Sequence, residues 1–340
     1  MIDVSIIIVN YKTPDLTDIC VGSIVKFTEG IHYEIIVLDN DSQDHSEALI
    51  TQKYPQVKWI NVGYNSGTSI PYNMGLRKAK GQYAIIQNSD TEYTENVVLK
   101  SYNKYRELEQ TMKMGLMGCQ IVGYDKIIQF NANWKFYSIK NYLRANPFFI
   151  YMNWLQEKPT FEQLTELHKR DGACAWLGIP FGIFNMNIVR KEEIWFDEDI
   201  FMYYDDEEWC YRLAKSGYKN YITVCTHVLH WNGGSSFTTF SNWRHGQINL
   251  SRWLFFIKKH GKLYFTVCIL LLLFNQLLDS LFYAKSKLRN NVSEEEERER
   301  QLRKFDRELL STYFFKLLLT YKKQTSGSGK FAKFELKQSK

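Results

Sequence analysis

Residues 4–13 read VSIIIVNYKT and residues 34–41 read EIIVLDND: short runs of aliphatic side chains, each ending abruptly in polar residues. Near-continuous apolar runs of this length belong to strands buried on both faces. Two more follow at 57–62 (VKWINV) and 82–86 (QYAII), and stretches with helical spacing, such as 15–27 and 70–80, lie in between. Strands alternating with helix-length segments predict parallel β-α-β units, so the first 90 residues read as a doubly wound α/β half-domain. In such sheets ligands bind beyond the carboxyl ends of the strands. The residues there are Asn10 and Tyr11, Asp39 to Asp41, Asn65 to Gly67, and Asn88, Ser89 and Asp90.

Neither GxGxxG nor GxxxxGK[ST] occurs, which counts against a dehydrogenase or an ATPase. Without a glycine-rich phosphate cradle, an Asp in this pocket holds phosphate through a divalent cation. Mg²⁺ takes only one or two carboxylates besides phosphate oxygens and water, so Asp90 could suffice. The chain has 340 residues, 43 Lys+Arg, 37 Asp+Glu and 45% hydrophobic residues, an ordinary globular composition. Residues 251–340 hold 19 basic and 9 acidic side chains, a net of +10, and the first 250 carry −4. A mildly acidic body argues against a nucleic-acid partner, and a basic, aromatic tail suits an anionic membrane surface. Six cysteines without a CxxC pair predict neither a zinc site nor a disulfide framework, but a reducing compartment. The N-terminus lacks the basic and long apolar regions of a secretory signal.

Residues 130–172 are aromatic and loosely patterned, either a lid over partner or substrate or an additional packed helix pair. IPFGIFNMNIVRK (179–191) reads as a buried strand or helix, with Gly182 in a close backbone approach. Residues 196–236 then read FDEDIFMYYDDEEWCYRLAKSGYKNYITVCTHVLHWNGGSS. Residues 206–215 have helical spacing with Trp209, Leu213 and Ala214 inward, and Gly217 is a natural stop. Asp205 fits the N-cap, Glu208 completes a capping-box-like pair, and Glu208 can pair with Arg212 at i+4. Asp206 and Glu207 are not needed for either role. Asp206 is therefore the candidate general base, its pKa expected to rise among like charges. His227 and His230 follow a predicted strand, 221–226, and the glycines after His230 allow close approach to phosphate or sugar.

The order VSIIIVNYKT, EIIVLDNDSQD, NVGYNSGTSIPYNMGLRKAKGQY, IIQNSDTEY, FDEDIFMYYDDEEWCYRLAKSGY and HVLHWNGGSS resembles the family 2 glycosyltransferases of GT-A fold, in particular their bacterial rhamnosyltransferase-like branch, over roughly residues 4–236. The resemblance implies a Rossmann-like, mostly parallel sheet flanked by helices, with the remainder a C-terminal helical extension. It also implies inverting transfer of a sugar from a dTDP- or UDP-sugar to an acceptor hydroxyl, with Mn²⁺ or Mg²⁺ on the diphosphate. Asp39 would then bind nucleobase or ribose, with Asn10, Tyr11 and Ser89 beside it. Asn65, Gly67 and Asn73 would shape the donor-phosphate loop, and Asp90 and His230 would hold the metal. Asp206 would be the base, with Trp176, Asp205 and Glu207 on the acceptor side. Two departures stand out: NSD lacks the first carboxylate of a DxD motif, and Ile194-Trp195 replaces the glycines that often precede FDE.

Residues 263–274, LYFTVCILLLLF, are flanked by Lys258, Lys259 and Lys262 and by Lys285, Lys287 and Arg289. Twelve clean apolar residues fall short of the roughly 20 of a span. Asn275, Gln276 and Asp279 share a helical face, so an interfacial helix over 258–289 is preferred to a span or a buried, dimerising helix. Ser293 and Glu296 predict a capping box opening a second helix. The expected organisation is a transferase domain over 1–250, a membrane-associating or dimerising helical region over 251–323 and a basic mobile tail over 324–340. It implies a peripheral protein on the cytoplasmic membrane face acting on a glycan or lipid-linked acceptor. A non-catalytic sugar-nucleotide or glycan-binding relative is the alternative; a nucleotidyltransferase is a weaker one.

Overall fold

The computed structural model describes residues 1–144, 161–231, 242–288 and 293–320. Among these, 1–136 and 161–231 belong to one compact unit, and 137–144, 242–288 and 293–320 to a second.

The first unit is built on a ten-stranded mixed sheet. Its strands are β1 (Val4–Asn10), β2 (Tyr33–Asp39), β3 (Lys58–Asn61), β4 (Tyr83–Asn88), β5 (Thr91–Glu92), β6 (Met114–Val122), β7 (Ile128–Gln129), β9 (Gly172–Cys174), β11 (Phe181–Asn185) and β12 (Lys219–His230). β8 (Ala132–Asn133) and β10 (Trp176–Leu177) pair separately. The order is β3-β2-β1-β4-β11-β6-β12-β5. β1 lies parallel to β2 on one side and to β4 on the other, which creates a topological switch point at its carboxyl end. β11 runs antiparallel to β4 and β6, and β12 runs parallel to β6. Helices α1 (Pro14–Phe27), α2 (Ser46–Lys53), α3 (Ser69–Lys78) and α4 (Val97–Leu108) are the connections expected of β-α-β units. Ile6, Ile7, Ile8, Ile36 and Val37 have no exposed surface, as strands covered on both faces require.

The segment 179–191 forms strand β11, and a Cβ on Gly182 would stand 2.6 Å from Leu116, the close approach expected there. The ends of the 130–172 segment are packed structure: α5 (Ile139–Arg144) in the second unit, and α6 (Phe161–Leu167) in the first, where buried His168 accepts the Ala132 N–H at Nε2. Residues 145–160 lie outside the described residues. Two short helical elements complete the first unit, α7 (Asn187–Arg190) and α8 (Asp205–Lys215). Trp209 anchors α8 by stacking on Phe196 at 4.4 Å and donating from Nε1 to the Ile194 carbonyl at 2.8 Å. Leu213 is buried as expected, but Ala214 is exposed.

The second unit contains α5, the helical stretch α9 (Asn242–Leu288), interrupted at Gly261 (φ 86°, ψ 173°), and α10 (Glu294–Thr320). Ser293 and Glu296 form the capping box expected at the start of α10: each backbone N–H reaches the other's side-chain oxygen, at 3.0 and 3.2 Å.

Candidate active site

The carboxyl ends of β1, β2 and β4 carry a continuous polar network. The Asn10 amide donates to Asp39 Oδ1 at 2.7 Å and Ser42 Oγ at 3.1 Å, and its carbonyl accepts from Thr13 and Thr17. Asn10 is wholly buried with its hydrogen-bonding capacity filled, so it orients Asp39 instead of meeting a nucleotide itself. Asp39 also accepts from the Ser42 N–H and hydroxyl, at 3.0 and 2.5 Å, which fixes its acceptor oxygens at the pocket. Ser89 bonds to Thr13 at 3.0 Å across the switch point, and Tyr11 stays part-exposed at the β1 exit.

Asn40 organises the third exit. Its amide donates to Asn65 Oδ1 and the Gly67 carbonyl, and its oxygen accepts from Ser66 N–H and hydroxyl. Gly67 has φ +79°, and a Cβ there would fall 1.7 Å from the Phe201 carbonyl oxygen. The next residue, Thr68, donates its N–H to that oxygen at 2.8 Å and its hydroxyl to Asp205 Oδ2 at 2.7 Å. Asn73 is buried, and its amide group bonds to both the N–H and carbonyl of Phe196 and to Glu198. These contacts lock the 65–73 loop to the 196–205 segment. Ile194 and Trp195, which depart from the expected glycines, serve the same anchoring: their carbonyls accept from Trp209 and Arg212.

Asp205 is the first residue of α8, not its N-cap. The cap position is Tyr204 (φ 65°), preceded by Tyr203 (φ 61°), and no capping box forms. Asp205 points to Thr68 instead, while Glu208 is fully buried in the i+4 pair with Arg212 at 2.7 Å. Two left-handed non-glycine residues in succession are costly, and backbone strain of this kind clusters at functional sites. Glu207 is buried, and Asp206, though part of its surface stays accessible, sits deep among protein atoms. Burial, followed by the Asp205 charge, pushes the Asp206 carboxyl well above the ordinary carboxylate value, and burial also raises Asp205. A Cβ on Gly178, just beyond β10, would stand 3.4 Å from Asp206 Oδ2, which brings this glycine to the acidic helix start. Trp176 is held by its indole N–H on the Lys135 carbonyl.

β12 does not end at residue 226. It continues to His230, which pairs with Thr91 of β5 and thereby stands beside Asp90, with Nε2 3.3 Å from Asp90 Oδ1. Its Nδ1 lies 2.7 Å from Gln129 Oε1, and the amide orientation is set because Gln129 Nε2 donates to the His230 carbonyl. Both ring nitrogens thus face acceptor oxygens, and a neutral imidazole has only one N–H to give. Asp90 and His230 are the side chains that would hold a divalent cation, with Gln129 behind the ring fixing its orientation as second-shell partners of a metal-ligating His do. Among the described residues no three His, Cys, Asp or Glu side chains form a metal cluster, so the remaining ligands would be phosphate oxygens and water. His227 faces Thr94 and Glu95 instead. The glycines after Trp231 lie outside the described residues.

Tyr72, not singled out in the sequence, ties the halves together. Buried burial-wise and bonded to Asn88, its hydroxyl is pushed above its ordinary value by burial and then by the charges of Asp205, Asp206 and Asp90.

The family model of Glycosyl transferase family 2 matches residues 5–176, half of the chain, which takes in Asn10, Asp39, the 65–73 loop and Asp90. The chain belongs to glycosyl transferase family 2. It is 33% identical over 117 residues to the poly(ribitol-phosphate) beta-glucosyltransferase of Bacillus spizizenii, covering 33% of this chain and 18% of that one. It is 28% identical over 121 residues to the poly(ribitol-phosphate) beta-N-acetylglucosaminyltransferase TarP of Staphylococcus aureus, covering 34% and 37%. These matches span less than two-fifths of either relative's length. GalNAc-T7, solved with UDP, GalNAc and Mn²⁺, shares the GT-A arrangement at a TM-score of 0.52 and 15% identity, over 76% of this family 2 chain and 50% of GalNAc-T7.

Gln129→Leu tests the orientation of His230. The variant is expected to weaken Mn²⁺-dependent nucleotide binding about 10–100-fold, the range for lost partners behind a metal ligand. Titration calorimetry at several Mn²⁺ concentrations reads it, and unchanged metal dependence would remove His230 from the metal.

Proposed function

We propose that this chain is an inverting glycosyltransferase that moves a sugar from a nucleoside-diphosphate sugar to a hydroxyl of a growing polysaccharide. The observation that carries the reading is the double tie of Thr68, by its N–H to the Phe201 carbonyl and by its hydroxyl to Asp205, which fastens the loop beyond β3 to the acidic start of α8 beside Asp206. Asp39, held by Asn10 and Ser42, offers fixed acceptors to nucleobase or ribose. Asp90 and His230 would hold Mn²⁺ or Mg²⁺, which when bound neutralises charge on the diphosphate leaving group. Thr68 ties Asp205 down, which leaves Asp206 as the carboxylate that takes the acceptor proton. The acceptor oxygen then bonds to the anomeric carbon as the bond to the diphosphate breaks, and attack from the opposite face inverts that centre. A base with a raised pKa takes a proton more readily than an ordinary carboxylate, provided it is ionised at the working pH.

The acceptor is a surface polymer in this reading, lipid-linked and met at the cytoplasmic membrane face; that two bacterial relatives glycosylate poly(ribitol-phosphate) supports a polymeric acceptor. Rhamnose, glucose and N-acetylglucosamine are the candidate sugars. Thermal melting against UDP, dTDP and GDP, each with Mn²⁺, Mg²⁺ or chelator, tests the donor side without an acceptor. A specific ligand at 100 times its Kd stabilises by about 2.7 kcal/mol. A metal-dependent rise with one nucleotide is the expected result; no rise with any would favour the non-catalytic relative.

A further inference from the structure

On the α9 stretch after Gly261, Asn275 and Gln276 face the interior beside the buried Phe265, Cys268 and Ile269. Asn275 donates to the Tyr142 carbonyl at 2.8 Å, and Gln276 donates to Asp306 at 3.4 Å. Asp306 also meets His245 and Asn249, each at 2.8 Å, so α10 closes a buried polar network. The polar face on which an interfacial helix was expected is therefore not the water-facing one. The outward face carries Leu263, Val267, Leu270, Phe274, Leu277 and Leu281, which are 37–80% exposed. Their spacing alternates four and three residues, one unbroken stripe along the helix. No charged residue occurs between Lys262 and Asp279, and Lys258, Lys259 and Lys262 stand before the stripe with Lys285 and Lys287 after it.

We propose that this stripe docks on the surface of an anionic bilayer, with the helix lying in the interfacial plane. A seam between two copies in water would carry charged flanking positions that pair across it, and this stripe has none over its first four turns. Lysines at both ends, with apolar side chains between, match lipid headgroups around an acyl boundary. By length and composition α9 could also cross a membrane. Its packing opposes that. Phe265 stacks on Phe314, Asp279 pairs with Arg303, and Tyr283 bonds to Glu297, so α10 runs antiparallel beside it. Crossing would carry the α10 segment 294–308, 12 of whose 15 residues are charged, into hydrocarbon.

The inference is independent of the glycosyl-transfer reading. Flotation of the full chain with phosphatidylglycerol/phosphatidylethanolamine vesicles, against phosphatidylcholine alone, tests it. The wild type is expected to float with the anionic vesicles, and Leu270→Asp/Leu277→Asp to lose partitioning at least about tenfold, with an unchanged melting temperature because both side chains are exposed. Lys262→Glu/Lys285→Glu should abolish the preference for anionic lipid. Unchanged flotation of the leucine variant would overturn the proposal. So would a dimer, seen by sedimentation without vesicles, that the leucine variant dissociates while still floating. Retention of the wild type through an alkaline carbonate wash would establish a span and overturn in-plane docking.

Discussion

Asp206→Asn is expected to lower sugar transfer about 10³-fold, within the 10²–10⁴ of a positioned general base, and to leave metal-dependent nucleotide binding intact. The same change should stabilise the fold at neutral pH. The Asp206 carboxyl is raised by burial and by the Asp205 charge, so between the ordinary carboxylate value, about 3.9, and the raised one the folded state binds more protons than the unfolded chain. Stability therefore falls as pH rises through that window. The penalty is absent below the ordinary value and complete above the raised one, and an amide removes this residue's share. Melting temperatures across pH should show the variant above the wild type at neutral pH and converging with it in acid. Transfer activity in the wild type should rise with pH over the same window, because the base must be ionised. A variant that retains transfer would sink the assignment of Asp206; one that melts lower at neutral pH would sink the energetic account of its burial.

Gly67→Ala is expected to disable the site from the other side. The added Cβ would stand 1.7 Å from the Phe201 carbonyl oxygen, a backbone atom with no rotamer to yield, at a φ of +79° that L side chains rarely adopt. The Thr68 N–H bond to that carbonyl and the Thr68–Asp205 bond must then shift together. The expected cost is about 2–4 kcal/mol, from the left-handed conformation and the displaced contact, with transfer lost along with it. Thr68→Val, which removes only the hydroxyl bond, is the milder comparison and should keep the fold. A Gly67→Ala protein with wild-type melting and activity would show that the 65–73 loop is not locked to the 196–205 segment.

The donor half was legible in residue order because its determinants are local. Apolar runs of strand length ending in Asn and Asp place the pocket at the strand exits by period and topology alone. The acidic helix was legible from Trp209 and Leu213, and the Glu208–Arg212 pair from its i+4 spacing. The roles of individual amides were not, because an amide's function depends on which partners fill it. Asn10 is filled partly by Asp39 and Ser42, 29 and 32 residues away, and Asn73 by Phe196 and Glu198, 123 and 125 away, while the partners of Asn40, Gln129 and Tyr72 could not be read from their neighbours in sequence. Residue 230 was reached by motif order, but its place beside Asp90 is decided by the antiparallel pairing of β12 with β5.

The tail divides the same way. Composition alone determined that residues 251–340 are basic and that 263–274 are apolar. Which face of that helix meets its surroundings was decided by α10, whose Asp306 draws Gln276 inward and leaves the leucines outside. A periodic pattern defines two faces of a helix, and only the packed neighbour, by satisfying one of them, determines which is left for a partner.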